Sequence, residues 1–250
     1  MAGMQPYTFS KEDEEREIKW KLYKSICKNF SDFYKEELFK NKKSFNAKNY
    51  LKKRGLSAQE VKKFNIGFVT EDIDFFEKLK KDFSEEIIKE TGLFYYDEKK
   101  QRYISRFRNR IIFPITNISS YIIGFGGRII DQNSKLAKYI NSPETPFFKK
   151  GSNLYNLDNA RKLSNKSENV FLVEGYMDVI GLHKNGIENV VANLGTSLTN
   201  RQIQILNQFY NDIIICFDGD ESGYKAALRA AENIIDELKP DKRISFLLLQ

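Results

Sequence analysis

The chain reads as an α/β protein, an α+β N-terminal part followed by a parallel sheet, and three observations carry that expectation. From Glu168 onward, short β-branched and aromatic runs alternate with stretches of helical period. That alternation is the mark of βαβ units joined by right-handed crossovers. Near Arg110 the hydrophobic period shortens to that of strands, whereas the residues before it are mostly of helical spacing.

Taken in order, Ile18, Leu22, Ile26, Phe30, Phe33 and Leu38 recur every three to five residues and predict a long amphipathic helix. A second helix is expected to end at Arg54 with Gly55 as its stop. Ser57-Ala58-Gln59-Glu60 is a capping box that opens a third, and Ser84 opens a short helix that stops at Gly92. Residues 111–115 and 121–125 flank Asn117 to Ser120 as a hairpin, in which Pro114 marks an edge position or an early end. A polar, proline-bearing loop is expected over residues 131–151. Strands then fall at 168–173, 189–192, 212–217 and 243–249, with helices at 177–184, 200–210 and 222–238 between them. The last of these is expected as a core strand, and a chain that stops on one reads as cut there.

Composition narrows the function classes. With 250 residues the chain holds one large domain or two modest ones. It has no run of about eighteen apolar residues, so neither a transmembrane helix nor a membrane partner is expected. Met1-Ala2-Gly3-Met4-Gln5 lacks the basic and apolar regions of a signal peptide and reads as a leader joined at Met4. Cys27 and Cys216 are the only cysteines, which suits a reducing cytoplasm, and with His183 the only histidine no zinc site is expected. Residues 168–250 carry 7 Lys/Arg against 12 Asp/Glu, net −5, and the first 167 carry 34 against 22, net +12. A basic part joined to an acidic part fits a polyanion-binding surface feeding a metal-binding rim, although lysines on solvated helices produce the same imbalance. The expected organisation is a leader at 1–15, a basic subdomain at 16–167 and the parallel-sheet domain at 168–250.

Two apolar runs end in carboxylates. Asn169-Val170-Phe171-Leu172-Val173 runs into Glu174-Gly175, and Asp212 to Phe217 runs into Asp218-Gly219-Asp220. Ligands of open α/β sheets bind beyond the carboxyl ends of the strands, so these groups are expected at one rim. Clustered carboxylates repel, and a divalent cation relieves the repulsion. Residues i and i+2 on extended backbone point the same way, so Asp218 and Asp220 can face one ion. Asp178 falls one turn further on, either as a further ligand or as an acid that favours its helix N-terminus.

Upstream, Arg106, Arg108 and Arg110 alternate around Phe107 and Asn109 and are expected to line one face of an extended segment, suited to a phosphate backbone or a triphosphate. A solvated edge face is the competing reading. Gly124, Gly126 and Gly127 flank Phe125, as on a strand against which nucleic acid lies closely, or one that meets a packing requirement. Lys138 and Lys150 sit with Tyr139, Phe147 and Phe148, a mixture that suits single strands although such aromatics also anchor cores.

The carboxylate-bearing runs resemble the Toprim domain, over residues 168–250. The runs Arg106 to Ile115, Ile123 to Arg128, Lys138 to Thr145, Lys150-Gly151 and Leu194 to Thr199 resemble, in order, the catalytic core of DnaG-type bacterial primases. Tyr50 to Leu56 and Phe64 to Phe68 fit the same family more loosely. The resemblance implies Glu174 as acid/base or metal ligand and Asp218 and Asp220 as holders of Mg²⁺ or Mn²⁺. It further implies that Arg106, Arg108, Asn109, Arg110, Arg128, Lys138 and Lys150 hold template and nucleotide. Ala137, Lys149 and Asn156 depart from the family, which favours Pro, His and Gly there. The family's zinc-binding domain, its helicase-binding domain and a further acidic pair have no counterpart, so a fragment with an incomplete metal site is expected.

The implied activity is synthesis of RNA primers on single-stranded DNA from ribonucleoside triphosphates, in the bacterial cytoplasm, with the replicative helicase engaged only through the absent C-terminal domain. A Toprim nuclease or topoisomerase would use the same rim, but no tyrosine nucleophile is identifiable. A non-catalytic nucleic-acid-binding module is the third reading.

Overall fold

A computed structural model describes residues 10–71, 73–131, 133–165, 167–195 and 198–249. Residues 1–9 of the expected leader, and Thr196 and Ser197 of the Leu194 to Thr199 run, lie outside the described residues. The helix expected near the start is α1 (Lys11–Lys40), opened by a reciprocal capping box between Ser10 and Asp13, so residues 11–15 are helix rather than leader. Its apolar stripe is the expected one only from Ile26 onward. Tyr23, Ile26, Cys27, Phe30, Tyr34 and Leu38 are buried, whereas Ile18 and Leu22 are exposed.

Helices α2 (Phe45–Lys53) and α3 (Ala58–Lys63) follow, with Gly55 at φ +78 ending the first and the Ser57–Glu60 box opening the second. Four strands form an antiparallel sheet in the order β1 (Gly67–Val69), β4 (Arg110–Thr116), β5 (Ile122–Ile129), β6 (Tyr139–Asn141). Between β1 and β4 run α4 (Phe75–Leu79), α5 (Glu85–Glu90) and a separate hairpin of β2 (Phe94–Asp97) and β3 (Arg102–Ser105). The sequence pattern showed neither β1 nor β6, the latter inside the expected polar loop. Each is three residues long, too short to display a period. Pro114 lies in an interior strand, yet β1 pairs only with Arg110, Ile111 and Ile112, so the missing N–H of Pro114 costs no ladder bond on that side.

After the short α6 (Leu157–Ala160), the chain alternates as expected: β7 (Asn169–Val173), α7 (Tyr176–Lys184), β8 (Val190–Ala192), α8 (Asn200–Asn207), β9 (Asp212–Asp218), α9 (Glu221–Ile234) and β10 (Arg243–Leu249). All neighbours are parallel, in the order β10-β9-β7-β8. The last strand is therefore an edge, with Phe246, Leu247 and Leu248 exposed, rather than the expected core strand.

Side-chain alternation on β4 explains how the sheets stack. Ile111, Phe113 and Ile115 face a core shared with Tyr176, Val179 and Ile180 of α7, while Ile112 faces an aromatic core with Phe30, Phe107 and Phe125 beneath α1. A strand buried on both faces reads as a continuous apolar run, which β4 does. The far face of the parallel sheet packs on α8 and α9 through Ile203, Leu206, Ala230 and Ile234. Among the described residues no helix is long and apolar enough to cross a membrane.

Candidate active site

The carboxyl ends of β7 and β9 meet at one rim. The Asp218 amide donates to Glu174 Oε1 at 3.4 Å, joining the two strand ends. Gly223 lets α9 start hard against β9, since a Cβ there would overlap the Asp218 carbonyl. Asp220 turns its carboxylate onto α9 as the N-cap, accepting from the Gly223 amide at 2.8 Å. Glu174 and the Asp218 backbone therefore meet at the rim, and the charges of Asp178 and Asp220 reach Glu174, while the Asp220 carboxylate is engaged as the cap of α9.

The electrostatics of the rim are those of crowded anions. Glu174 is raised above the ordinary carboxylate value, first by desolvation and then by the charges of Asp218, Asp178 and Asp220. Asp178 is raised by desolvation and by Asp218, against which a hydrogen bond from the Gly175 amide and the charges of Arg54 and Arg128 pull it down. Both residues remain open to solvent, so the desolvation is partial. Oxygen donors that repel one another suit a hard divalent cation, and in kind the residues fit one. Their arrangement is not a closed cage, for among the described residues no three Asp, Glu, His or Cys side chains converge on one point. A cleft of about 320 Å³ opens from Glu174 between the sheet and α9, lined also by Asn193, Gly195 and Arg229.

The basic residues do not form the expected row. Residues 106–109 are a turn rather than an extended segment, with Asn109 at φ +56. Arg106 Nε donates to the Gly92 carbonyl at 3.1 Å, Arg108 donates to the Tyr95 hydroxyl, and both guanidinium groups lie 5.7 Å from the Tyr95 ring centre. Arg110 is buried at 4% exposure, and its Nη1 donates to the Lys138 carbonyl at 3.3 Å. The turn sends the three in different directions, which alternation in sequence does not reveal. Arg108 and Asn109 instead border an open groove of about 960 Å³ with Lys43, Asn46, Asn49 and Lys53.

Arg128 does approach the rim. Its guanidinium lies 5.0 Å from the Tyr50 ring centre and 4.8 Å from that of Tyr139, and it donates to the Tyr139 hydroxyl. Tyr50 and Arg54 are the residues that sequence reasoning missed as members of this group. They stand one helical turn apart, Arg54 Nε donating to Tyr50 Oη at 3.0 Å, and that i, i+4 spacing was the available signal. Lys138 is exposed beside them. Lys150 sits where Gln202 Nε2 donates to its carbonyl at 3.1 Å and Thr199 Oγ1 to the Gly151 carbonyl at 2.7 Å, which ties the lysine loop to the start of α8.

The glycines of β5 answer a packing requirement and not the approach of a ligand. A Cβ on Gly126 would overlap the ring of Tyr176, one on Gly127 that of Phe107, and one on Gly124 would press on Phe148. Phe148 is fully buried and Phe147 packs on Trp20 and Tyr23, so these aromatics are core anchors. Asn156, one of the departures, holds φ +67, and its Nδ2 donates to the Val190 carbonyl at 2.8 Å. Asn tolerates the left-handed region better than most residues, so it can stand where glycine is common. Lys149, another departure, pairs on the surface with Glu144 at 3.4 Å.

A parallel sheet whose strand ends gather carboxylates, fed by a basic antiparallel subdomain, defines a Toprim-type nucleic-acid protein, and residues 168–247 match the Toprim domain family. Residues 33–161 match the family described as DNA primase catalytic core, N-terminal domain. The chain belongs to the DnaG-type DNA primase catalytic-core family. A DNA primase of Neisseria meningitidis is 41% identical over 221 residues, covering 88% of this chain and 36% of the relative. The chain thus spans about a third of the length of the curated relatives it matches. The crystal structure of a DNA primase domain from Pseudomonas aeruginosa superposes with a TM-score of 0.83 at 38% identity, covering 91% of this chain and 71% of that one. The structure of a DnaG primase catalytic domain bound to single-stranded DNA superposes with a TM-score of 0.83 at 34% identity, covering 92% and 72%.

Proposed function

We propose that this chain carries out divalent-metal-dependent nucleotidyl transfer, joining ribonucleoside triphosphates into short RNA primers on single-stranded DNA. The observation that carries the proposal is the meeting of Glu174 with the Asp218 amide at 3.4 Å, which brings two strand ends and their carboxylates to one rim. Glu174, Asp218 and Asp220, with Asp178 beside them, would hold Mg²⁺ or Mn²⁺. Bound there, the ion would stabilise charge developing on phosphate oxygens. The chain's own residues do the rest. Glu174, raised first by desolvation and then by the neighbouring carboxylates, is the rim group that holds a proton more readily than an ordinary carboxylate and is the candidate acid/base. Arg128, clamped between two tyrosines, presents a fixed cation beside the rim for a triphosphate. The groove of Lys43, Asn46, Asn49, Lys53 and Arg108 offers cations and amides to the template, consistent with the single-stranded DNA held by the DnaG relative.

The test is incorporation of labelled ribonucleotides on single-stranded DNA with Mg²⁺ or Mn²⁺, in this chain and in its Asp218→Asn/Asp220→Asn variant. Incorporation that the variant abolishes, with template binding retained, is expected. A wild-type chain that binds template but incorporates nothing would favour the binding-module reading, and cleavage of DNA without incorporation would favour a nuclease.

A further inference from the structure

At the opposite end of the β4–β5 hairpin from Arg128 lies a cleft of about 720 Å³ that the proposed chemistry does not use. Its walls come from α1, the end of α3, the end of β4 and the segment around α6. Six strand steps of about 3.3 Å put it roughly 20 Å from Arg110 along β4. In size it falls within the range of small-molecule sites, roughly 300–1,000 Å³.

Two cations converge on the hairpin turn at its mouth. Lys24 Nζ lies 4.1 Å from the Tyr121 ring centre, and Lys162 Nζ lies 3.5 Å from Ser120 Oγ. Neither lysine makes an ion pair among the described residues, whereas Lys28 and Lys63, which also line the cleft, pair with Asp32 and Glu188. The adjoining wall is partly apolar, built from Phe64, Pro114, Ile122 and Tyr155, with the Phe64 and Tyr155 ring planes only 28° apart. Ser31 and Tyr155, both lining residues, are 1% and 3% exposed, and their hydroxyls have no hydrogen-bond partner among the described residues. Buried hydroxyls are normally partnered, so two orphans in one cleft mark it as more than a surface irregularity.

We propose that this cleft binds a small anion with a flat body, an aryl or heterocyclic phosphate, whose phosphate sits between Lys24 and Lys162 and whose ring lies against Tyr155, Phe64 and Pro114. The site is separate from the carboxylate rim and stands independently of the primase reading.

Phenyl phosphate is the probe, titrated by calorimetry in magnesium-free buffer and followed in parallel by the fluorescence of Trp20, the one tryptophan of the chain. Lys24 Nζ stands 5.0 Å from the Trp20 ring centre, so an anion drawn to Lys24 alters the indole's surroundings. Saturable binding is expected, at least tenfold weaker in Lys24→Gln/Lys162→Gln and weaker still for inorganic phosphate, which lacks the ring. Circular dichroism of the double variant guards against an unfolded chain. Asp218→Asn/Asp220→Asn should bind phenyl phosphate as the wild type does. No saturable binding, equal affinity in a folded lysine variant, or a loss of affinity in the rim variant would each overturn the proposal.

Discussion

Replacing Gly126 by alanine tests the joint between the two sheets. A methyl carbon on Gly126 would stand 2.2 Å from Cζ of Tyr176. Ordinary carbon–carbon contact is about 3.5–4.0 Å, so the ring must retreat on the order of 1.5 Å. It has nowhere easy to go. Tyr176 lies parallel to Phe113 with ring centres 5.0 Å apart, meets Tyr155 edge-on, and donates to Asn141 Oδ1 at 2.5 Å. Overpacking costs about 1–3 kcal/mol, and weakening that hydrogen bond adds about 1 kcal/mol. For a chain of this size, a loss of about 2–4 kcal/mol lowers Tm by roughly 4–16 °C. Urea unfolding followed by circular dichroism gives the loss directly. Tyr176→Leu, which vacates part of the space, should make the Gly126→Ala change less costly, so the double variant loses less than the sum of the singles. A midpoint for Gly126→Ala equal to wild type, or strict additivity in the double variant, would refute the packing argument. Because Tyr176 opens α7 two residues after Glu174, Gly126→Ala is also expected to disturb the rim and lower incorporation more than its stability loss alone accounts for.

Other outcomes follow from the same geometry. Glu174 and Asp178 have folded-state values above their unfolded ones, so the folded state binds protons more tightly; stability therefore falls as pH rises from about their ordinary values of 4.5 and 3.8 upward through the raised ones. Glu174→Gln should flatten that fall in metal-free urea titrations at pH 4 to 8, and Mg²⁺ should stabilise the wild type more than the variant. Asn156→Ala combines left-handed strain with loss of the bonds to the Val190 carbonyl and from Asn159 Nδ2, about 2–4 kcal/mol in denaturation, whereas Asn156→Gly loses the same bonds without the strain and should cost less. Arg108→Gln should weaken binding to single-stranded DNA and reduce its salt slope by about one ion, while Arg110→Gln, at a buried position, should show first as lost stability in thermal melts.

Much of the parallel-sheet end was legible in the sequence. The alternation after Glu168 was visible because each buried parallel strand is a compact apolar run and each helix shows one periodic face, both local properties. The rim followed from chain connectivity, since the residue after such a strand emerges at the carboxyl edge wherever the sheet lies. Glu174 and Asp218 were placed on that ground, and the structure brings them together. The resemblance singled out Arg128 as a nucleotide- or template-holding residue, and the structure brings its charge to bear on Asp178 at the rim.

What only the tertiary structure decided is where groups from separate elements meet. Arg106, Arg108 and Arg110 alternate in sequence, but a turn with Asn109 at positive φ separates them, and burial converts Arg110 from a surface cation into a core residue holding the Lys138 carbonyl. The glycines of β5 carry no sign of what lies against them, because Tyr176 and Phe107 arrive from elsewhere in the chain. Tyr50 and Arg54 join Arg128 and Asp178 across long stretches of sequence. Strand period and strand-end position are set by neighbours a few residues apart and are written locally. Side-chain direction, burial and long-range charge depend on packing between distant segments, which exists only once the chain has folded.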